Sequence, residues 1–186
     1  LCSLCAKHQV TVISDEIHSD LAFRPHHSLI EAAAGTGCDV IVLMSPSKTF
    51  NIAGEHYSLT LFSNSEMRDL FIRRRDQLYG GSVSTTAIAL ATAAYREGGP
   101  HLAFLIDYLR QQARFVEQYL WERVPSLSFI APQASFIALI DCRGIYRLVE
   151  QDAALHSELY NPALSSNGGL LSRFFGQRAS VAMNDG

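Results

Sequence analysis

The sequence predicts an α/β fold, because short strand-like segments alternate with helical or loop crossings. The segments VTVIS (10–14), DVIVLM (39–44) and YSLTLF (57–62) are short and rich in β-branched or apolar residues, as strands are. Helical patterns with caps and glycine stops lie between and after them. The chain has 186 residues, of which 48% are apolar, and this suffices for a buried core.

The first strand, VTVIS, ends at the acidic pair Asp15–Glu16. The segment SLIEAAAG (28–35) has helix-forming residues and a glycine stop, which predicts a helix. The run DVIVLM is apolar without alternation, so we expect a strand that is covered on both faces. The third strand closes with the turn-like SNS.

Helices dominate the middle of the sequence. Residues 65–80 begin with Ser65 as a helix cap, and residues 84–99 form an alanine-rich helix between a cap and paired glycines. A long helix follows over about 100–123, with Pro100 in its first turn and Pro125 just beyond its end. Its apolar residues recur every three or four positions, at Leu102, Leu105, Ile106, Leu109, Ala113, Val116 and Leu120.

The texture of the sequence changes after Pro125. We expect two strands there (126–131 and 135–142), followed by a helix (144–155) and an exposed turn-rich loop (159–169). A short helix (170–177) and the start of a strand (179–184) are expected after the loop. We therefore predict three parts: a first domain over residues 1–98, a connecting long helix over 99–125, and a second, smaller domain over 126–186. No internal repeat is visible.

Composition excludes several function classes. The formal net charge of −3 gives no electrostatic reason to expect a nucleic acid or membrane partner. No apolar run approaches the roughly 20 residues that cross a bilayer. The start LCSLCAKHQV has neither the features of a signal peptide nor an initiator methionine, so we expect an internal segment of a longer chain.

Four cysteines are too few for a disulfide scaffold, and we expect a cytoplasmic location. Cys2 and Cys5 form a C-x-x-C, but the motif precedes a strand instead of following one, which disfavours a redox role. A zinc site would need a second ligand pair, and neither Cys38 nor Cys142 has a partner at ligand spacing. We interpret Cys2 and Cys5 as small apolar side chains on one helix face, and expect no metal.

Asp15 and Lys48 carry the strongest chemical signal. Asp15 ends the first strand, and Lys48 follows the second within SPSKTFNIAG (45–54), so both are expected at the carboxyl edge of the sheet, where ligands bind. A partly buried ammonium is costly, yet a desolvated lysine amine can attack a carbonyl. A carboxylate opposite it can hold a proton on a pyridine nitrogen. Together they predict a site for an aldehyde cofactor.

The segments ISDEIHSDLAF (13–23) and SPSKTFNIAG (45–54), with 33 residues from Asp15 to Lys48, resemble the fold-type I enzymes that depend on pyridoxal 5'-phosphate. The resemblance is closest to the MalY/PatB group of carbon–sulfur β-lyases within the class I/II aminotransferase superfamily. PQASFIALIDCRG (132–144) is similar to the small-domain strand of that family. The resemblance implies a large domain with a mixed, mostly parallel sheet and an α+β small C-terminal domain.

The resemblance also implies roles for individual residues. Lys48 would form the Schiff base with pyridoxal 5'-phosphate and move the Cα proton, and Asp15 would pair with the pyridine nitrogen. Ser45 and Ser47 would contact the cofactor phosphate. His18 stands where typical aminotransferases have a tyrosine near the phenolic oxygen of the cofactor. His56 replaces the phosphate-binding arginine of many aminotransferases.

Each of these residues also has a simpler interpretation. Lys48 could be a surface lysine, Asp15 a helix cap, and His18 a packed, hydrogen-bonded histidine. Ser45 and Ser47 could cap local backbone.

The resemblance implies β-elimination on an S-substituted L-cysteine such as cystathionine, which yields thiol, pyruvate and ammonia. DEIH in place of DEIY favours this lyase activity. An aminotransferase that uses the same Asp15 and Lys48, and a non-catalytic remnant, are the alternatives. Family segments before residue 1 and after residue 186 would be needed, so we expect this segment to be inactive alone. A homodimer is implied by the resemblance.

Overall fold

The computed structural model describes residues 1–78, 80, 82–160 and 169–182. The chain divides into two compact units. The first comprises residues 1–111 together with 133–137, and the second comprises residues 112–132 together with 138–186. None of the helices in the described ranges is long and apolar enough to cross a bilayer.

The first unit is built on a sheet of strands β1 (Val12–Asp15), β2 (Val40–Met44) and β3 (Leu59–Phe62), in the order β1-β2-β3. Strands β1 and β2 pair in parallel, with Asp15 opposite Leu43. Strands β2 and β3 pair antiparallel. The predicted α/β fold with a mixed sheet is confirmed, but parallel pairing does not predominate among the described strands.

The core of the first unit lies on one face of β2. Val40 and Val42 are fully buried and pack with Cys2 of helix α1 (Cys2–Lys7) and with Ala33. Because strand side chains alternate between faces, Leu43 points away from this core and is 37% exposed. The expectation that both faces of β2 are covered is therefore wrong for the described chain. Cys2 is a packed apolar residue, as interpreted from the sequence.

Between β1 and Arg123, the described residues also form the helices α2 (Leu29–Ala32), α3 (Pro46–Thr49), α4 (Ser65–Gln77), α5 (Thr85–Glu97) and the long helix α6 (Gly99–Arg123). Helix α2 is only one turn of the predicted eight-residue segment. Helix α4 is capped by Asn64 and not by Ser65 as predicted. Asn64 has extended backbone, and its Oδ1 accepts hydrogen bonds from the N–H groups of Glu66 and Met67.

The second unit contains an antiparallel pair, β4 (Ser128–Ile130) and β5 (Leu139–Asp141), and helices α7 (Tyr146–Leu155) and α8 (Leu170–Ala179). Strand β5 is shorter than predicted, because residues 133–137 pack with the first unit instead. The strand predicted from 179 is wrong for residues 180–182, which have no strand structure. Residues 183–184 of that prediction, and 161–168 of the predicted loop, lie outside the described residues.

Candidate active site

The carboxyl ends of β1 and β2 meet at one edge of the sheet. Because these strands are parallel neighbours and Asp15 lies opposite Leu43, the residues that follow each strand share this edge. Asp15 is exposed, and its Oδ1 accepts one hydrogen bond, at 3.2 Å from the N–H of Ile17. This is a local turn and not the helix cap considered from the sequence, because the 3₁₀ turn that follows (Ser19–Leu21) has no side-chain cap. The Oδ2 atom of Asp15 makes no hydrogen bond with the described residues.

Lys48 lies shortly after the end of β2 at Met44, on the single turn of α3. Ser45 caps this turn and Pro46 occupies its first position, where a missing N–H costs nothing. The side chain of Lys48 is exposed, and its ammonium makes no hydrogen bond or ion pair with any described residue. The sheet edge therefore carries an amine that the fold itself does not use.

Ser45 and Ser47 form a hydroxyl pair beside Lys48. Ser45 is buried, and its Oγ lies 2.6 Å from the Oγ of Ser47 and 2.6 Å from the carbonyl oxygen of Tyr57. It also accepts the N–H of Ser47 at 3.1 Å. Ser45 thus makes the local cap, whereas the half-buried Ser47 has the more accessible hydroxyl of the two.

His18 is held by a residue that the sequence did not single out. Its Nδ1 lies 3.0 Å from the Oγ of Ser135, and its ring makes an edge-on contact with Phe136 at a centroid distance of 5.4 Å. Ser135 is buried and has a φ of 74°, a left-handed conformation that is uncommon for serine. His18 Nε2 makes no hydrogen bond with the described residues.

Glu16, the neighbour of Asp15, has a different environment. It is 6% exposed, and its carboxylate accepts the N–H of Leu29 at 2.8 Å and pairs with His26 at 2.8 Å. Burial acts to raise the pKa of Glu16, but the hydrogen bonds from Leu29 and His26 outweigh it, and the pKa is lowered. Glu16 is therefore a structural carboxylate.

A second network joins the turn after β1 to α3. Asp20 Oδ2 accepts hydrogen bonds from the hydroxyl of Thr49 at 3.0 Å and from that of Tyr95 at 3.1 Å. Sequence reasoning missed this network, because its members are 29 and 75 positions apart. The available signal was the position of Asp20 and Thr49 within the two motifs.

His56 is exposed and ends a 3₁₀ turn with a φ of 51°.

The sequence of the chain is similar to those of known proteins. The chain is 34% identical to Cystathionine beta-lyase PatB of Bacillus subtilis over 140 residues, which cover 74% of this chain and 36% of that protein. It is 34% identical to Protein MalY of Escherichia coli over 150 residues, which cover 78% of this chain and 37% of that protein.

The crystal structure of cystalysin from Treponema denticola, which contains a pyridoxal 5'-phosphate cofactor, superposes with a TM-score of 0.71 at 25% identity. The match covers 83% of this chain and 41% of cystalysin. The chain thus spans about two fifths of the length of the relatives it matches. The family model for aminotransferase class I and II matches residues 1–167. The chain belongs to the aminotransferase class I and II family.

Proposed function

We propose that this chain is the part of a pyridoxal 5'-phosphate-dependent carbon–sulfur β-lyase that carries the cofactor-binding lysine and aspartate. One observation carries the proposal: the exposed Lys48 amine, without a partner among the described residues, lies at the sheet edge where Asp15 ends the parallel neighbouring strand. Membership of the family and the identity with Cystathionine beta-lyase PatB support the same reaction class.

The side chains at this edge suit the functional groups of the cofactor. Lys48 offers an amine for the aldehyde, and the open Oδ2 of Asp15 offers an anion for the protonated pyridine nitrogen. His18 offers its second ring nitrogen to the phenolic oxygen. The hydroxyl of Ser47 would turn from Ser45 Oγ to donate to the phosphate, and each cofactor group would thus have a complementary side chain.

The residues of the chain have distinct parts in the chemistry. When bound, the cofactor supplies an electron sink for the negative charge that develops at the substrate Cα. Asp15 would hold the proton on the pyridine nitrogen. The amine of Lys48 would bind the aldehyde and, when free, take the Cα proton. Loss of that proton would prepare the bond from Cβ to sulfur for cleavage, so that the thiol leaves. Hydrolysis by one water molecule would then convert the remaining three-carbon unit to pyruvate and ammonia.

Ser135 supports the part that we assign to His18. The buried hydroxyl of Ser135 has no hydrogen-bond partner other than His18 Nδ1 among the described residues, and we assign it as the donor to that nitrogen in the neutral tautomer of His18. His18 then carries its own proton on Nε2. In this tautomer His18 donates a hydrogen bond to an oxygen acceptor, as the tyrosine of typical aminotransferases does.

The proposal extends to the organisation of the protein. Residues 1–98 would belong to the large cofactor-binding domain, 99–125 to the connecting helix, and 126–186 to an α+β small domain. An amino-acid substrate, a homodimer and a cytoplasmic location accompany this assignment. The structural similarity to cystalysin over 83% of the chain supports only the fold in this assignment.

An aminotransferase is the second candidate, because the matching family model includes that activity and Asp15 and Lys48 would serve both reactions. An activity assay of the complete gene product, with an S-substituted L-cysteine such as cystathionine as substrate, distinguishes the two activities. A β-lyase releases pyruvate without any added keto acid. Strict dependence on a keto acid contradicts the lyase and establishes the aminotransferase.

A further inference from the structure

Asp20 connects the two sides of the proposed site. It lies in a 3₁₀ turn (Ser19–Leu21) that directly follows His18, on the β1 side. Its Oδ2 receives the hydroxyl of Thr49, the residue next to Lys48, at 3.0 Å. Thr49 and Leu21, the neighbour of the half-buried Asp20, are both fully buried, which restricts movement on either side of this connection. The contact joins the segment that carries Asp15 and His18 to the turn that carries Lys48.

Helix α3 needs such an anchor. It comprises only Pro46–Thr49, and an isolated turn of helix has almost no stability of its own. Its orientation must therefore come from tertiary contacts. Since Lys48 and Thr49 are adjacent on the same turn, fixing the side chain of Thr49 also fixes the direction in which the Lys48 side chain leaves the backbone.

Helix α5 supports the same turn from another direction. The hydroxyl of Tyr95 donates to the same Asp20 oxygen at 3.1 Å, and its ring meets Phe50 edge-on at a centroid distance of 5.4 Å. Gly98 at the end of α5 allows close packing, because a Cβ there would overlap Phe50. Burial and the Asp20 carboxylate raise the pKa of Tyr95 to about 12, so the phenol remains a donor at neutral pH.

We propose that Asp20 is a positioning residue for Lys48, acting through the hydroxyl of Thr49, with Tyr95 as its second donor. This inference rests on the proposed function, since it concerns the amine that would bind the cofactor. A misplacement of about 1 Å can cost about 100-fold in the rate of a reaction that depends on geometry. The Asp20–Thr49 bond prevents such a displacement of α3.

The test compares Thr49→Val with Thr49→Ser in the complete gene product. Valine keeps the shape of threonine and lacks the hydroxyl, whereas serine keeps the hydroxyl. After addition of pyridoxal 5'-phosphate to cofactor-free protein, we expect the visible band to form about tenfold more slowly in Thr49→Val and within about threefold of wild type in Thr49→Ser. The visible circular dichroism of the bound cofactor should change only in Thr49→Val.

Asp20→Ala should reproduce Thr49→Val, and Tyr95→Phe should have a smaller effect because it leaves the Thr49 bond intact. Asp69→Asn, on the exposed face of α4, is the matched control and should behave as wild type. All measurements are made well below the unfolding temperature of each variant, which is determined separately. Equal rates and equal dichroism in Thr49→Val and Thr49→Ser would overturn the proposal.

A cofactor-independent measurement separates this proposal from the proposed function. Amide hydrogen exchange over residues 46–52 of cofactor-free protein should be faster in Thr49→Val and Asp20→Ala than in Thr49→Ser. If wild type forms no visible band, the proposed function fails, and the exchange result alone decides whether Asp20 holds α3. Exchange that is equal in all variants contradicts the anchor.

Discussion

The sheet edge of the first unit and the helical part of the second unit use their charged side chains in opposite ways. In the second unit, Asp152 of α7 accepts the hydroxyl of Tyr160 at 2.5 Å and two hydrogen bonds from Arg178 of α8, at 2.7 and 3.0 Å. At the sheet edge, Asp15 accepts one local N–H and Lys48 has no partner among the described residues.

The comparison distinguishes structural charges from charges that are available to a ligand. Asp152 is satisfied by side chains of its own unit, so it holds helices together and has little capacity left for a ligand. Asp15 and Lys48 leave their capacity open at the edge where α/β sheets bind ligands. The same contrast occurs between neighbours, since Glu16 is saturated and Asp15 is not.

The largest effect is expected for Asp15→Asn. The change removes the charge that would hold the pyridinium proton, and we expect lyase activity of the complete gene product to fall by about 100-fold or more. Its unfolding midpoint in denaturant should stay near that of wild type, because Asp15 is exposed and makes a single local hydrogen bond. Pyruvate release and denaturant unfolding measure the two quantities.

Glu16→Gln is the matched variant at the adjacent position and should show the reverse pattern. It replaces a buried acceptor of two hydrogen bonds, so the free energy of unfolding should fall by about 1–3 kcal/mol. Activity at temperatures where the variant is folded should remain close to wild type. If Asp15→Asn instead retains full activity, the division between open and saturated carboxylates is wrong.

A smaller effect is expected at Ser135. Both Ser135→Ala and Ser135→Gly remove the hydroxyl that holds His18, so both should reduce lyase activity by a similar factor, of about tenfold. Their stabilities should differ, because only glycine adopts a φ of 74° without strain. Denaturant unfolding should show glycine as the more stable variant. Unchanged activity in both variants would mean that the orientation of His18 by Ser135 does not matter for the reaction.

The smallest effect on activity is expected for Asp152→Asn, which should leave pyruvate release unchanged. Hydrogen bonds from Arg178 and Tyr160 lower the pKa of Asp152 from 3.8 to about 2. Because the pKa is lower in the folded state, ionised Asp152 stabilises the fold above about pH 4, and this contribution is lost as the pH falls toward 2. Wild type should therefore lose stability more steeply across this window than Asp152→Asn.

Asp141→Asn is the control for the loss of stability between about pH 4 and pH 2. Arg143 lowers the pKa of Asp141 to about 2 as well, but the Arg143 side chain is 91% exposed, and solvent screens the pair. Acid unfolding followed by circular dichroism should therefore show a smaller change for Asp141→Asn than for Asp152→Asn. If Asp141→Asn changes the acid unfolding more than Asp152→Asn does, the hydrogen bonds of Asp152 with Arg178 and Tyr160 are not the main acid-sensitive contacts between α7 and α8.

Local sequence patterns predicted the regular elements and the sheet edge. The apolar run before Ser45 predicted β2, and the three- and four-residue spacing predicted α6. These features depend on neighbouring residues. The cap of α4 was misplaced by one position, because the choice between Asn64 and Ser65 depends on backbone conformation.

The supporting residues of the site were not predictable in this way. The contact of His18 with Ser135 spans 117 positions, and that of Asp20 with Tyr95 spans 75. No local pattern encodes which distant hydroxyl meets a given side chain. Ser135 was read as part of a strand, whereas its left-handed conformation interrupts the strand and allows residues 133–137 to pack beside Ala22.

The identity of the lysine that binds the cofactor is tested most directly by chemical trapping. The complete gene product is incubated with pyridoxal 5'-phosphate, reduced with borohydride and mapped by mass spectrometry. Lys7 and Lys48 are the two lysines of this chain, which makes Lys7→Ala the matched control for Lys48→Ala. We predict one reduced cofactor per chain on Lys48, retained in Lys7→Ala and lost in Lys48→Ala. A full equivalent that remains in Lys48→Ala, fixed to another lysine, would contradict the account.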